Sequence, residues 1–481
     1  MAAETEDPMN VLLDEILLII FHLLSKRDPD RYNYRQGSLV SCSLVSNAWR
    51  RFTEPFLFSH IAIGPGEGHS FHDFLHFLQA RPELVRYCRC MRVSRVEDDF
   101  STFLSQVMVH LPSLKHLALD TVPIRLLDEA LRPDVAALEL STLKLADIYD
   151  PNGVATTTEE DAPWDTKPMD PVLHSLPLSR VGCLNLVSDS ESNFYDYYYP
   201  RFGSRSTDYP DLQEGSNMTG IDNIVVGGDD CNTAVFEALE KVIRPGSLLR
   251  LTAKCRRHTD LVGFAAFLRR VAGANLKQLD INLTTFMEDE QRESMNNNAC
   301  KSSCVGGGTR RSLMYAFSDV GPWSTFKDAV SACPTLERMH IGILPYAINA
   351  FREGEALFVP ERYRLFTSIA DALPPTFRKF MLSLHTWWDS PDWGRCIELW
   401  DLKALDALAD ERRYARFEGL LVCMAEWPDC EVEKSMQAAE ERTKTLLPRL
   451  HKAKKIEYGW DLDEVARRRK SGRGMFGGLF L

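Results

Sequence analysis

Cysteine and histidine are the side chains of this chain best suited to metal binding or nucleophilic chemistry. The 481 residues include 12 of each. Cys300 and Cys304 form a C-x3-C pair, but a structural zinc site needs four ligands, and no second pair follows at zinc-finger spacing. The sequence also lacks the phosphate-binding, metalloprotease and serine-hydrolase motifs. We therefore expect no catalytic residue, no metal and no cofactor.

A reactive cysteine is the remaining enzymatic hypothesis. Such a residue needs a pKa lowered by a neighbouring histidine or by the start of a helix. With 12 cysteines and 12 histidines, some will lie close together by chance, and the sequence singles out no pair.

Two groups of aromatic residues suggest binding instead of catalysis. Tyr197, Tyr198 and Tyr199 lie together in a polar segment, and Trp387 and Trp388 are adjacent in HTWWD. Large side chains with few rotatable bonds are effective anchors for a protein partner. We regard these five as possible substrate-binding residues. The alternatives are a solvated loop for the tyrosines and packing beneath a loop for the tryptophans.

The composition narrows the class of protein. Hydrophobic residues make up 44% and charged residues 26%, as in ordinary globular proteins, and the net charge is −12. An acidic chain is poorly suited to broad nucleic-acid binding. No secretion signal and no apolar run of about 18 residues is present. The expected location is therefore cytoplasmic and/or nuclear, not secreted, with no membrane partner.

The first 60 residues predict two apolar helices. Residues 11–24 read VLLDEILLIIFHLL, a helix that is apolar around most of its circumference. A polar loop at 25–38 follows, with Pro29 and Gly37 as breakers. A second helix is predicted at 39–52, before Pro55, and EPFLFSHIAI leads into a strand.

The order of these residues resembles the F-box family. The resemblance covers about residues 9–60, and its strongest part is the Leu-Val-Ser-x-x-Trp stretch at 44–49. In two respects the sequence departs from the family pattern: Leu13 stands where a proline is usual, and the loop at 25–38 is longer. The residues that carry the resemblance are Leu12, Asp14, Glu15, Ile16, Leu17, Ile20, Phe21, Leu24, Leu44, Val45, Ser46, Trp49, Phe56, Leu57 and Phe58.

The resemblance implies a partner and an activity. F-box proteins are substrate receptors of SCF-type ubiquitin ligases, and their helices interlock with a Skp-type adaptor that leads to a cullin–RING assembly. A module of this size cannot bury two such helices by itself, which agrees with an interaction surface. The resemblance implies that the following positions face or shape the adaptor interface: Leu12, Ile16, Leu17, Ile20, Leu24, Leu44, Val45 and Trp49.

An irregular repeat follows these helices. The pattern Leu-x-x-Leu-x-Leu, with other apolar residues allowed, recurs at intervals that are often 26 to 28 residues, within the range of leucine-rich repeats. An amphipathic helix precedes most copies, for example before Leu248, Leu276 and Leu336. The copies begin at Cys88, Leu114, Leu140, Val181, Ile221, Leu248, Leu276, Leu336, Phe377, Phe417 and Ala453.

The predicted fold is therefore α/β. The N-terminal helical module at 1–62 precedes a leucine-rich-repeat-like solenoid at 63–464, with parallel strands on its concave face and helices on its convex face. Polar loop insertions are expected near 150–171, 188–220 and 287–311. A basic and apolar tail at 465–481 is expected to be flexible or to act as a nuclear signal. An ordinary domain of strand–helix units is the alternative fold.

The F-box resemblance implies a non-catalytic receptor that captures an unknown protein substrate for ubiquitination, and the lack of catalytic motifs agrees with it. A second hypothesis is a leucine-rich-repeat scaffold that does not engage a ubiquitin ligase, and the third is the cysteine enzyme.

Overall fold

The computed structural model describes the chain in fourteen stretches, which fall into two compact units. The first unit is drawn from Met1–Val154 and His174–Gly182, and the second from Ala155–Leu173 and Cys183–Leu481. Apart from Ser188, the three expected insertions and the tail lie outside the described residues, and the boundaries at 62 and 464 stay predictions. The described residues are 15–21, 32–63, 71–94, 107, 110–120, 139–146, 181–188, 221–228, 233–255, 258–283, 322–343, 365–385, 401–425 and 432–459.

Three helices open the first unit: α1 at residues 15–21, α2 at Tyr32–Ser43 and α3 at Asn47–Leu57. The single helix predicted at 39–52 is wrong, because the chain turns between α2 and α3. The reason is Ser46, whose extended backbone and side chain begin a new helix: its Oγ accepts a hydrogen bond from the Trp49 N–H at 3.1 Å.

Two expected breakers lie inside helices. Gly37 belongs to α2, so the loop predicted at 25–38 is helical from Tyr32 onward. Glycine weakens a helix by about 1 kcal/mol relative to alanine but does not end it. Pro55 lies near the end of α3, which continues to Leu57 and is closed by the Phe58 N–H bonding to the Glu54 carbonyl.

The strands of the first unit are parallel and follow one another in chain order. They are β1 (His60–Ile63), β2 (Cys90–Ser94), β3 (His116–Asp120) and β4 (Leu140–Ala146). Helices α4 (Phe71–Ala80) and α5 (Pro82–Val85) provide the crossover from β1 to β2.

The second unit repeats this organisation with more strands, again parallel and in chain order. The strands are β5 (Val181–Ser188, in this unit from Cys183), β6 (Asn223–Gly228), β7 (Arg250–Lys254), β8 (Gln278–Asn282), β9 (Arg338–Ile343), β10 (Lys379–His385), β11 (Gly419–Ala425) and β12 (Ile456–Gly459).

Helical segments alternate with these strands. They are α6 (Thr233–Val242), α7 (His258–Phe267, extended by a wide turn at Leu268–Ala272), α8 (Pro322–Ser331), α9 (Leu365–Ala372), a 3₁₀ helix at Leu402–Ala409, α10 (Val432–Leu446) and α11 (Pro448–Lys452). None of the helices in the described stretches is long and apolar enough to cross a membrane.

The predicted repeat positions coincide with the observed strands. Each of the eleven copies leads into one strand from β2 to β12, so the periodicity correctly located the strands. The middle position of successive copies is paired in register, as in Leu251, Leu279 and Met339, and these side chains are fully buried. A one-residue slip would turn each such row to the opposite face, so the apolar pattern fixes the register.

Phenylalanines join neighbouring helices of the second unit into one layer. Phe264 of α7 contacts Phe236 of α6 with ring centroids 5.5 Å apart and Phe326 of α8 at 6.3 Å. All three side chains are fully buried. Such ring pairs add to the free energy of burial, so Phe264 links three helices that belong to three successive repeats.

The Phe264→Ala variant is expected to lower the free energy of unfolding of the second unit by about 3–5 kcal/mol, because it leaves a cavity between helices. Val262→Ala is the matched control, since Val262 lies on the same helix and is exposed. Urea denaturation followed by circular dichroism measures both. Equal, small shifts of the two midpoints would contradict this role of Phe264.

Candidate functional site

Helix α1 has an apolar solvent face opposite its buried face. Ile16, Ile19 and Ile20 are exposed, and Ile19 retains 58% of its accessible surface. At 100° per residue these three share one side of the helix. Phe21 points the other way and is 1% exposed. The helix therefore presents apolar surface to solvent on the side that faces away from the buried Phe21.

The turn between α2 and α3 exposes a second apolar group. Leu44 and Val45 retain 71% and 63% of their accessible surface, and Val40, one helical turn before Leu44, is also exposed. These are large fractions for side chains that gain free energy by leaving water. The neighbouring Asn47 and Arg50 are exposed and polar. Apolar surface with a polar rim is typical of a protein-binding site.

An aromatic contact joins α1 to α3. The rings of Phe21 and Trp49 meet edge to face with centroids 5.6 Å apart. Trp49 is also in the turn of α3 that Ser46 caps, and the buried Thr53 Oγ1 donates to the Trp49 carbonyl at 3.0 Å. This contact holds α1 against α3 and leaves the isoleucines of α1 facing outward.

The sequence-predicted interface residues divide into three groups. Ile16, Ile20, Leu44 and Val45 are exposed, as a partner surface requires. Leu17 and Trp49 are half-buried, so they shape the surface. Leu12 and Leu24 lie outside the described residues. Adaptor contact by any of these residues stays a prediction.

Sequence reasoning missed part of this surface. It did not include the exposed Leu18, Ile19 and Val40, and it did not identify Ser46 as a helix cap. Ser46 carried a readable signal, because serine before a helical stretch is a common cap. Ile19 and Val40 carried none, since the sequence does not show which apolar face of a helix the rest of the chain covers.

The second unit presents a polar sheet face opposite its helices. Because Leu251 and Ala253 are buried, Arg250, Thr252 and Lys254 point to the other side of the sheet. The same alternation applies to the neighbouring strands. We call the residues of β7 to β10 that point away from the helices the open face: Arg250, Thr252, Lys254, Gln278, Asp280, Asn282, Arg338, His340, Gly342, Lys379, Met381 and Ser383.

An array of hydrogen bonds and one longer polar contact crosses four strands of the open face. The Thr252 Oγ1 donates to Asp280 Oδ2 at 3.3 Å. His340 Nδ1 lies 3.8 Å from Asp280 Oδ1, and His340 Nε2 is 2.9 Å from Ser383 Oγ. Gln278 donates to the same Asp280 Oδ2 at 3.0 Å. The array thus orders side chains from β7, β8, β9 and β10.

The surroundings of Asp280 destabilise the charged form of its carboxyl group. Burial raises its pKa to about 6. The hydrogen bonds from Gln278 and Thr252 oppose this rise, as do the positive charges of Arg250 and Arg338. The charged form is therefore less stable here than in water, because the loss of hydration outweighs these interactions.

The order Asp280, His340, Ser383 has the roles of a serine-hydrolase triad: carboxylate, imidazole and hydroxyl. Ser383, however, is only 2% exposed, so a substrate carbonyl does not reach its Oγ in this structure. We therefore interpret the array as a means of satisfying buried polar groups across the sheet.

The described cysteines are poor nucleophiles where a pKa shift is resolved. Burial raises the pKa of Cys88, Cys183 and Cys333 to about 12. Their thiolates are therefore not formed at neutral pH, which argues against these three as reactive cysteines. The C-x3-C pair at 300–304 lies outside the described residues, as do Tyr197, Tyr198, Tyr199, Trp387 and Trp388. Among the described residues no group of three or more His, Cys, Asp or Glu is arranged to hold a metal.

Replacing Ser46 by alanine is expected to lower the stability of the α1–α3 region by about 1 kcal/mol, because the first N–H groups of α3 lose a hydrogen-bond acceptor. Ser46→Asp keeps an acceptor and is the control. Hydrogen exchange of the Trp49 amide reports the effect. Faster exchange in both variants alike would argue against capping as the cause.

Replacing Asp280 by asparagine is expected to stabilise the second unit at pH 7 by about 2 kcal/mol. A raised folded-state pKa means that the contribution of Asp280 is fully favourable below its ordinary value near 3.8 and is lost as pH rises through about 6. Thermal melts of the wild type and Asp280→Asn across that range should diverge as pH rises. If the melting temperatures of the two proteins change with pH in parallel, the raised pKa of Asp280 is contradicted.

Comparison with known proteins concerns the exposed apolar surface of α1 and of the Leu44–Val45 turn. No curated protein matches the chain. A family model described as F-box-like matches residues 14–63, which span α1, α2, α3 and β1. This range includes the exposed isoleucines, the Leu44–Val45 turn and the Phe21–Trp49 contact. The match confirms the family suggested by the sequence: the chain carries an F-box-like domain at residues 14–63.

Proposed function

We propose that this protein is the substrate-recognition subunit of an SCF-type, cullin–RING ubiquitin ligase. The F-box-like domain binds a Skp-type adaptor, which connects the chain to a cullin–RING assembly. The repeat region captures a protein substrate. The chain itself acts as a receptor without catalytic residues, works inside the cell in the cytoplasm, the nucleus or both, and needs neither membrane nor nucleic acid.

The observation that carries this proposal is the exposed apolar surface of the F-box-like domain. F-box domains generally bind Skp-type adaptors. Here the domain leaves Leu44, Val45 and Ile19 more than half exposed. A partner that covers these side chains stabilises the complex by about 25 cal/mol for each Å² of apolar surface removed from water.

Substrate capture is assigned to the repeat region because of its sheet. Parallel strands in register offer a row of outward side chains whose identity is not constrained by the core. Holding a substrate next to a ubiquitin-charged enzyme raises the effective concentration of its lysines, which is a large contribution to rate without a catalytic group in this chain.

Leu44→Asp and Val45→Asp are each expected to weaken adaptor binding by about a hundredfold, because a carboxylate would replace an apolar contact in the complex. Both side chains are exposed in the free chain, so the fold should be unaffected. The control is Val262→Asp, the same exchange at an exposed valine of α7 in the second unit. Affinity is measured by calorimetry with purified Skp-type adaptor.

Three results are informative. Loss of binding in the two F-box variants, but not in Val262→Asp, supports the proposal. If all variants bind the adaptor as tightly as the wild type does, the adaptor binds elsewhere and the proposed Leu44–Val45 interface is wrong. Absence of adaptor binding by the wild-type chain, with substrates still captured, supports the alternative of a repeat scaffold that does not engage a ubiquitin ligase.

A further inference from the structure

A short neutral side chain in the turn before each of three strands ties neighbouring repeats of the second unit together. The residue three positions before the strand is Asn275 for β8, Thr335 for β9 and Thr376 for β10. Each side chain donates a hydrogen bond to a backbone carbonyl of the turn in the preceding repeat, at 2.7, 3.0 and 3.0 Å respectively. This position of the repeat therefore has a structural role.

The turns before β11 and β12 depart from this rule. The pairing of Leu420 with Ile456 aligns Arg416 with Lys452, each of them four residues earlier, at the position that Thr376 occupies before β10. Both side chains are exposed and positively charged, and neither bonds to another described residue. Like charges in adjacent repeats repel each other, so packing between repeats does not explain these two residues.

Three more exposed cations belong to the same two turns. We call the five residues the basic patch: Arg412, Arg416, Arg449, Lys452 and Lys454. The segments that carry them lie side by side, because the Leu420 N–H donates to the Lys455 carbonyl at 2.8 Å and Lys455 Nζ lies 3.6 Å from Glu411 Oε1. The two turns therefore place their positive charges on one region of the surface.

Elsewhere at this edge of the sheet the charges alternate in sign from repeat to repeat. The residues directly before the strands β8 to β11 are Lys277, Glu337, Arg378 and Glu418, which the strand pairing aligns. Arg378 Nη1 lies 3.8 Å from Glu337 Oε2, and Arg378 also pairs with Glu418. The edge thus neutralises charge between neighbouring repeats, and the basic patch is an exception to this arrangement.

The nearest glutamates are paired with cations outside the basic patch. Glu411 pairs with Lys455, and Glu418 Oε2 lies 2.9 Å from the Nζ of the buried Lys379. Among the described residues, no carboxylate oxygen lies within 4.0 Å of the charged nitrogens of the five patch residues. The ion pairs of this region therefore leave the patch cations open to a partner.

The two nearest aspartates are bonded to the backbone. Asp406 Oδ1 accepts from the Leu450 N–H at 3.0 Å, and Asp410 Oδ1 accepts from the Arg412 N–H at 3.1 Å. When these two and both glutamates are all counted, residues 406–418 and 448–455 hold seven Lys and Arg and four Asp and Glu, a net charge of 7 − 4 = +3. The region is therefore positive even with its own carboxylates included.

We infer that the basic patch binds a segment of a partner protein that is rich in aspartate and glutamate. Carboxylates that settle between like positive charges relieve their repulsion. A positive region on a chain whose net charge is −12 also directs an acidic segment to this one place, because the rest of the surface repels it. The inference goes beyond adaptor binding and does not depend on it.

An acidic protein segment fits this patch better than a nucleic acid does. Double-stranded DNA carries a charge about every 1.7 Å along its axis and extends in both directions. Beyond the basic patch, such a polymer would meet a chain that is acidic on balance. A short run of carboxylates ends where the positive charges end, so it gains the attraction without the repulsion.

The test uses the full-length chain and a fluorescein-labelled peptide in which Glu and Ser alternate. Fluorescence anisotropy should show binding that weakens with added salt, and no binding of the matched Gln–Ser peptide. Arg416→Glu and Lys452→Glu should each weaken binding about tenfold. Arg416→Thr, which introduces the residue type of Thr376, should weaken it severalfold. Arg269→Glu, the same exchange at an exposed arginine in the wide turn after α7, should leave it unchanged.

Five results would overturn the inference. They are no binding of the Glu–Ser peptide, equal binding of the Gln–Ser peptide, wild-type affinity in both Arg416→Glu and Lys452→Glu, an equal loss in Arg269→Glu, or tighter binding of oligothymidylate of the same length through Arg416 and Lys452. Circular dichroism checks that each variant is folded. If a glutamate variant does not fold, Arg416→Thr decides: severalfold weaker binding supports the inference, and wild-type affinity overturns it.

Discussion

The structure depends on one constraint: a strand–helix repeat of this chain cannot bury its own apolar face. Leu251 is fully buried, and so is Leu279, which is paired beside it on the next strand. Each repeat thus depends on its neighbour for its core, and the hydrogen bonds between parallel strands fix the distance and register at which that neighbour stands. The free energy of burial therefore acts along the array, and Phe264 shows this directly by contacting helices on both sides.

The same constraint explains which features of the fold the sequence predicts. The apolar positions at Leu248, Leu276 and Leu336 recur because the core demands them, so their periodicity locates the strands correctly. Loop length is under no such demand, which is why the intervals between copies vary. The turn at Ser46 was missed because the apolar pattern continues through Leu44 and Val45, and pattern alone does not distinguish a buried apolar residue from one exposed at a turn.

The functional positions are harder to predict for a related reason. Outward residues such as Asp280, His340 and Ser383 come from distant parts of the sequence and meet only because their strands are paired in register. Residues 280 and 383 are too far apart in the sequence to form a short motif, so sequence patterns do not predict the array. The F-box-like domain is different, because its residues lie within about 50 positions of one another, and their order alone suggested the family.

Exposure and burial therefore have opposite meanings in the two parts of the chain. In the F-box-like domain, the departure from the rule is apolar surface left in water at Ile19, Leu44 and Val45. On the open face, the departure is polar and charged groups taken out of water, as with Lys379 and His340. Each arrangement costs free energy in the isolated chain. Apolar exposure is relieved only by covering it, whereas buried charge is relieved by an opposite charge, as Glu418 already does for Lys379. The two surfaces therefore differ in chemistry, and a receptor of the proposed kind needs this difference to keep its adaptor and its substrate at separate surfaces.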